Sequence, residues 1–181
     1  FSLLIMPIVL VGMMLLLTNC GKKDNKKTIL IGLIAKNQTN PVFQAAYTGA
    51  KDAAIELGKK YGIEVQINWQ TPTDENPQKQ AEAIEQLARS GAAGIAVSCS
   101  DANILTSTID KAVGLGSEVM CFDSDAPKSK RFAYFGTDDF ICGQMVMKNL
   151  AAQMNNKGNI AILAGNQSAP NIQNRVKGIL E

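Results

Sequence analysis

The polar side chains of this chain that could do chemistry gather in a few short stretches, each placed after an apolar run. In order they are Asn37-Gln38-Thr39-Asn40-Pro41-Val42-Phe43, Trp69-Gln70-Thr71, Ser98-Cys99-Ser100-Asp101 and Asp123-Ser124-Asp125-Ala126-Pro127. A last group, Gly165-Asn166-Gln167-Ser168, leads to Gln173-Asn174-Arg175. Amides, hydroxyls, carboxylates and a few aromatics make up the set. An aspartate accepts two hydroxyl hydrogen bonds, asparagine and glutamine both donate and accept, and an aromatic face covers the C–H side of a ring. This is equipment for holding a neutral polyol.

Other chemistries find less material. Histidine is absent, which removes the commonest general base and metal ligand. The four cysteines, Cys20, Cys99, Cys121 and Cys142, show no CxxC spacing, so no zinc site and no cofactor is expected. Buried free thiols are the plain reading of the last three, with a Cys99–Cys121 disulfide left open. Asp74, Asp101 and Asp123 could serve glycoside hydrolysis only if two of them stood roughly 5–10 Å apart, and nothing in their spacing pairs them. Eighteen basic and 16 acidic residues give a net charge of +2 with no basic patch interleaved with aromatics, so no nucleic-acid partner is expected. The composition argues for binding rather than catalysis.

The elements that must position these residues follow a regular alternation. Residues 28–35 (TILIGLIA) are a short apolar run suited to a buried parallel strand. Pro41 opens a helix to about Tyr61, and Gly62 stands where a helix ends. The pattern continues with a strand at 63–69, a helix at 74–90, a strand at 94–97, a helix at 103–115 and a strand at 118–122. A fifth strand is expected at 131–135, a long helix at 140–155, a sixth strand at 159–163 and a helix from 171 to 181. Strands alternating with helices of this length imply βαβ units, a parallel sheet and helices on both faces. Ligands of such sheets bind beyond the carboxyl ends of the strands, where the polar stretches fall.

Each site residue also has a local reading. Asp123 could cap a turn, Phe43 could be a core aromatic, and Asn40 before Pro41 is a good N-cap. Ser98 and Asp101 could cap the following helix, Trp69 could lie on the surface, and Arg175 suits a salt bridge.

The first 27 residues read differently. An apolar run to Leu17, then Thr18-Asn19-Cys20-Gly21 and a lysine-rich stretch, reads as an export signal. The join looks like a bacterial lipobox, which implies a signal peptide over 1–19, lipidation of Cys20 and a tether over 20–27. Asn19 departs from the small residue usual before that cysteine. The alternative is an uncleaved transmembrane anchor, for which a run interrupted by Pro7 is short against the about 17–25 residues needed. The chain opens at Phe1 without a basic n-region and stops inside an apolar helix, so a sequence cut at both ends is expected.

Several motifs in order carry a resemblance. Ile31-Gly32-Leu33-Ile34, Asn40-Pro41-Val42-Phe43, Glu56-Leu57-Gly58, Gly94-Ile95-Ala96-Val97-Ser98 and Phe122-Asp123-Ser124-Asp125 together resemble the ribose-binding-like (type I) periplasmic sugar-binding proteins of ABC importers. Tyr134-Phe135-Gly136-Thr137-Asp138 and Asn174-Arg175-Val176-Lys177-Gly178 extend the match to the end of the chain. The resemblance implies an α/β fold of two Rossmann-like three-layer lobes, the first over 28–137 with its hinge crossing and the second begun over 138–181. It implies a monomeric, lipid-anchored extracytoplasmic protein that binds a sugar or polyol for an ABC permease, or a sensory receptor on the same lobes, and not an enzyme. By position, Asn40 would bond sugar hydroxyls, Phe43 would stack on the ring, Asp123 would grip two hydroxyls and Gln173 would reach in from the second lobe. Trp69, Ser98 and Ser124 complete the expected contacts. Val42 replaces a second aromatic of ribose binders, and Ser124 and Gln173 fall at arginine positions, which points away from ribose itself.

Overall fold

A computed structural model describes residues 27–181. The expected signal peptide, the lipidation at Cys20 and all but the end of the tether lie outside the described residues.

Five strands form one parallel sheet: β1 (Thr28–Ile34), β2 (Glu64–Trp69), β3 (Gly94–Val97), β4 (Glu118–Phe122) and β5 (Ala133–Phe135). Their spatial order is β2-β1-β3-β4-β5. In the register Ile31 lies opposite Ile67 on one side and Gly94 on the other, and Val97 lies opposite Cys121. The interior position of β1, between β2 and β3, explains its continuous apolar sequence, because a strand covered on both faces has no solvent side to make polar.

Three helices make the crossovers. The first, α1 (Pro41–Tyr61), runs from β1 to β2. Next, α2 (Pro77–Arg89) runs from β2 to β3 and α3 (Ala102–Gly114) from β3 to β4. The chain steps outward from β1 to β2 and then back past β1 to β3. Right-handed crossovers in opposite directions put α1 on one face of the sheet and α2 and α3 on the other. The α2–α3 face is the deeper one: Ile84, Leu87, Leu105 and Ile109 are wholly buried and meet Ile34, Ile95, Val97 and Val119. By contrast α1 buries only Phe43 and Ala54.

Local chemistry sets the ends of these helices. Asn40 caps α1 by accepting from the Val42 amide, with Pro41 in the first position, and Gly62 closes it in the left-handed region at φ 66°. Asn76 and Asp101 cap α2 and α3 in the same way.

Beyond β5, α4 (Asp139–Gln153) and α5 (Pro170–Leu180) pack against each other. Their contact is close because Gly143 faces the Arg175 carbonyl and Gly178 faces the Phe140 carbonyl, leaving no room for a Cβ at either place. Ile141, Met145, Val146 and Leu150 of α4 are exposed. The expected sixth strand is corrected here: residues 159–163 form no strand. A strand exists by pairing, and among the described residues this segment makes no backbone hydrogen bond. Its sequence is apolar and β-prone, but its Leu163 is fully exposed.

Candidate functional site

Three strand ends converge on one polar cluster. After β1 comes Lys36, after β3 Ser98, and after β4 Asp123. Asp123 adopts φ 58°, a left-handed conformation that aspartate tolerates better than most residues. Its amide donates to the Phe135 carbonyl at 3.1 Å, which ties the turn to β5. The Ser98 hydroxyl donates to Asp123 Oδ2 at 2.7 Å. Lys36 Nζ stands 3.3 Å from the same oxygen and donates to Asn171 Oδ1 at 3.0 Å. Asn171, in the first turn of α5, donates from Nδ2 to Asp123 Oδ1 at 3.4 Å. Lys36, Ser98 and Asn171 are buried, while the Asp123 side chain is 34 % exposed.

A shell supports this cluster. Gln80, wholly buried, donates to the carbonyls of Ala35 and Ser98 at 2.9 and 2.8 Å and accepts from the Ser100 amide at 3.0 Å. One side chain of α2 thus fixes the ends of both β1 and β3. The Tyr134 hydroxyl lies 3.0 Å from the Asp123 carbonyl. Burial first, then the charges of Asp139, Asp125 and Asp123, push the Tyr134 phenol up to about 12. Asp125 forks onto Arg131, and that hydrogen-bonded pairing raises the guanidinium further. A cavity of about 410 Å³ adjoins the cluster, lined by Asp125, Tyr134, Thr137, Asp138, Asn171 and Asn174 among others.

Of the residues expected from sequence, the structure brings Ser98 and Asp123 into direct contact. Phe43 is buried and meets Phe122 edge to face, with ring centroids 6.5 Å apart. Asn40 is committed through Oδ1 to the Val42 amide at 3.0 Å, which leaves its NH₂ group as the free donor. Ser124 is wholly buried with an unpartnered hydroxyl, and its carbonyl accepts from the Cys99 amide. Trp69 is turned elsewhere: its ring stacks on Tyr47 at 4.2 Å and its indole N–H donates to Thr71. Gln173 is exposed, and its amide donates to the Gln167 carbonyl at 2.6 Å. The side chain that α5 brings to Asp123 is Asn171 instead, one half-turn earlier.

Sequence reasoning missed two members of the cluster. Lys36 had a usable signal, because a lysine directly after a strand-length apolar run falls at the ligand end of that strand. Asn171 had only its place after Pro170, with no contact legible from spacing. Asp101, weighed for acid–base work, is spent on the amides of Asn103 and Ile104 at 2.8 and 3.2 Å. Among the described residues no group of three or more His, Cys, Asp or Glu side chains is placed to hold a metal ion.

What this geometry can do is bind. Asp123 offers acceptors, Lys36 only donors, and Asn171 and Ser98 both, so neighbouring hydroxyls can be read from several sides.

A parallel sheet with crossover helices on both faces and polar groups at its carboxyl edge defines a class, the Rossmann-like open α/β domains. Residues 31–181 match the sequence profile of the periplasmic binding protein domain, and the chain belongs to that family. Its fold is similar to an ABC transporter solute-binding protein from Burkholderia graminis in complex with D-arabinose. That similarity has 31% identity and a TM-score of 0.79, covering 86% of this chain and 52% of the other. GanP, a glucose-galactose binding protein from Geobacillus stearothermophilus, is similar at 27% identity and a TM-score of 0.76, covering 84% and 52%. So is a chain of the XylFII–LytSN complex, at 27% identity and a TM-score of 0.72, covering 84% and 54%. The chain thus spans about half the length of the solved structures it matches. No curated protein sequence matches it with comparable significance.

Proposed function

We propose that this protein captures a sugar or related polyol outside the cytoplasmic membrane and delivers it to an ABC permease, without bond chemistry. The observation that carries this reading is the Ser98–Asp123–Lys36 cluster at three strand ends, met by Asn171 from α5. In this reading residues 28–137 are the first lobe with its hinge crossing and 138–181 begin the second. The ligand sits between them and stabilises the closed pair. Asp123 grips two hydroxyls, Lys36 and Ser98 orient it, Asn40 donates from its free amide, and Phe43 with Phe122 supplies the aromatic wall. Residues 1–19 are the signal peptide, Cys20 carries the lipid, and 20–27 form the tether of a monomeric lipoprotein. The D-arabinose and glucose-galactose binders among the similar structures support a monosaccharide cargo.

A second reading is a sensory receptor that presents its closed form to a signalling partner. The likeness to a chain of the XylFII–LytSN complex favours it, and the same pocket serves both.

The test is a thermal-shift screen of the full-length protein over pentoses, hexoses, deoxysugars and small polyols, starting with arabinose, glucose and galactose. A ligand at 100 times its Kd stabilises by about 2.7 kcal/mol, a readily measured rise in melting temperature. The expected result is a rise with one sugar class, lost in Asp123→Ala, with the sugar recovered unchanged. No rise with any of them overturns the sugar reading.

A further inference from the structure

Two core thiols take no part in the binding reading. Cys99 and Cys121 are both wholly buried, with their sulfurs 3.8 Å apart inside the apolar cluster. Cys121 lies opposite Val97, the last residue of β3, in the β3–β4 register, and Cys99 follows two residues later, just past the end of that strand. The Cys99 amide donates to the Ser124 carbonyl at 3.0 Å, which draws this segment against the end of β4. Both cysteines adjoin the binding cluster in sequence: Ser98 directly precedes Cys99, and Asp123 stands two residues after Cys121. Cys142 is away from them on α4.

We infer that Cys99 and Cys121 are joined as a disulfide in the exported protein, a covalent rung between β3 and β4 beside Ser98 and Asp123. The inference rests on the extracytoplasmic placement proposed above, where disulfides persist, but not on the identity of the cargo. The oxidant is a disulfide, borne by a thiol oxidoreductase or a small molecule. One cysteine thiolate attacks it, releasing one oxidant thiol and leaving a mixed disulfide. The second thiolate then attacks the protein sulfur of that mixed disulfide and releases the other oxidant thiol. Two electrons pass from the cysteines to the oxidant, and the two thiol protons end on its two sulfurs. The sulfurs close from 3.8 Å to about 2.05 Å by side-chain rotation and a small approach of the strand ends. The hydrogen bond to Cys121, and then burial, hold the Cys99 thiol well above its ordinary range, and burial denies an oxidant any route to it. The bond therefore forms while the chain folds, and the closed core shields it afterwards.

The test is a cysteine map. Full-length exported protein, purified without reductant, is denatured in an alkylating agent, digested and read by mass spectrometry. The expected product is a peptide pair joining Cys99 to Cys121 that vanishes on reduction, with Cys142 alkylated. Cys142→Ala keeps that product, and Cys99→Ala loses it. Alkylation of both Cys99 and Cys121 in the exported protein, or pairing of either with Cys142, overturns the inference. Cell fractionation of the same culture tests the placement separately. Should the protein stay inside the cytoplasmic membrane, it is reduced, unfolded, refolded with oxidised glutathione and mapped again. Alkylated Cys99 and Cys121 in that sample overturn the pairing itself.

Discussion

Asp123 answers to three partners at once: the Ser98 hydroxyl, the Lys36 ammonium and the Asn171 amide. Lys36 depends on it in turn, since its side chain is only 9 % exposed and a buried ammonium without a counter-charge is costly. Asp123→Ala is therefore expected to destabilise the protein by about 1–3 kcal/mol and, on the proposed function, to abolish sugar binding. Lys36→Met, which keeps the apolar stem and drops the charge, should recover part of that loss when combined with Asp123→Ala. Urea denaturation of the two single variants and the double one measures the coupling, and strictly additive losses would show that the pair does not interact. Tyr134 sets a pH limit. Its folded pKa is raised from 10.0 to about 12, so between those values the unfolded chain has lost the phenolic proton while the folded one keeps it. The stability it contributes is complete below pH 10 and is lost as the pH climbs towards 12. Denaturation midpoints across that range should fall less steeply in Tyr134→Phe than in the parent.

At the scale of elements, the helix ends were the most legible part of the fold. Asn40-Pro41 and Gly62 bound α1 in the sequence as in the structure, because caps are made by residues within one turn of each other. Asp101 does the same for α3, and Asp101→Ala should cost about 1 kcal/mol in thermal or urea unfolding. The succession of β1 to β5 with their crossover helices was equally readable, since apolar runs alternating with helices imply βαβ units, whereas the spatial order β2-β1-β3-β4-β5 emerges only in the structure. Residues 159–163 defeated the same logic: their apolar run satisfies the pattern of a strand but has no partner among the described residues. Lys36 and Asn171 were missed for a related reason. They meet across 135 positions of sequence, and only the packing of α5 against the strand ends brings them together. The glycines of the α4–α5 contact belong to this scale too. Gly143→Ala forces a methyl against the Arg175 carbonyl, and a loss at the upper end of about 1–3 kcal/mol is expected. An unchanged melting temperature would mean the helices sit further apart.

The whole molecule divides its labour between a sheet that is buried deeply on the α2–α3 face and a helix pair that reaches the strand ends through few side chains. Asn171 is the polar link between the two parts that reaches Asp123, while Asn166, just before α5, donates to Glu75 Oε1 at 2.6 Å and to the Ser100 carbonyl at 3.4 Å. On the proposed function Asn171→Ala should weaken sugar binding about tenfold, or about 1.4 kcal/mol, while leaving the unfolding of the sheet nearly unchanged. Titration calorimetry beside urea denaturation separates the two effects. One aromatic gives this architecture a further use. Trp69 is the sole tryptophan of the chain, and its indole N–H rests on Thr71, whose hydroxyl oxygen accepts the Ala35 amide at the end of β1 at 2.7 Å. The only strong fluorophore is thus wired, through one threonine, to the residue beside Lys36. Any rearrangement of that strand end shifts the indole's surroundings, so the unlabelled protein can be followed by its own emission and, on the proposed function, its cargo titrated in a cuvette.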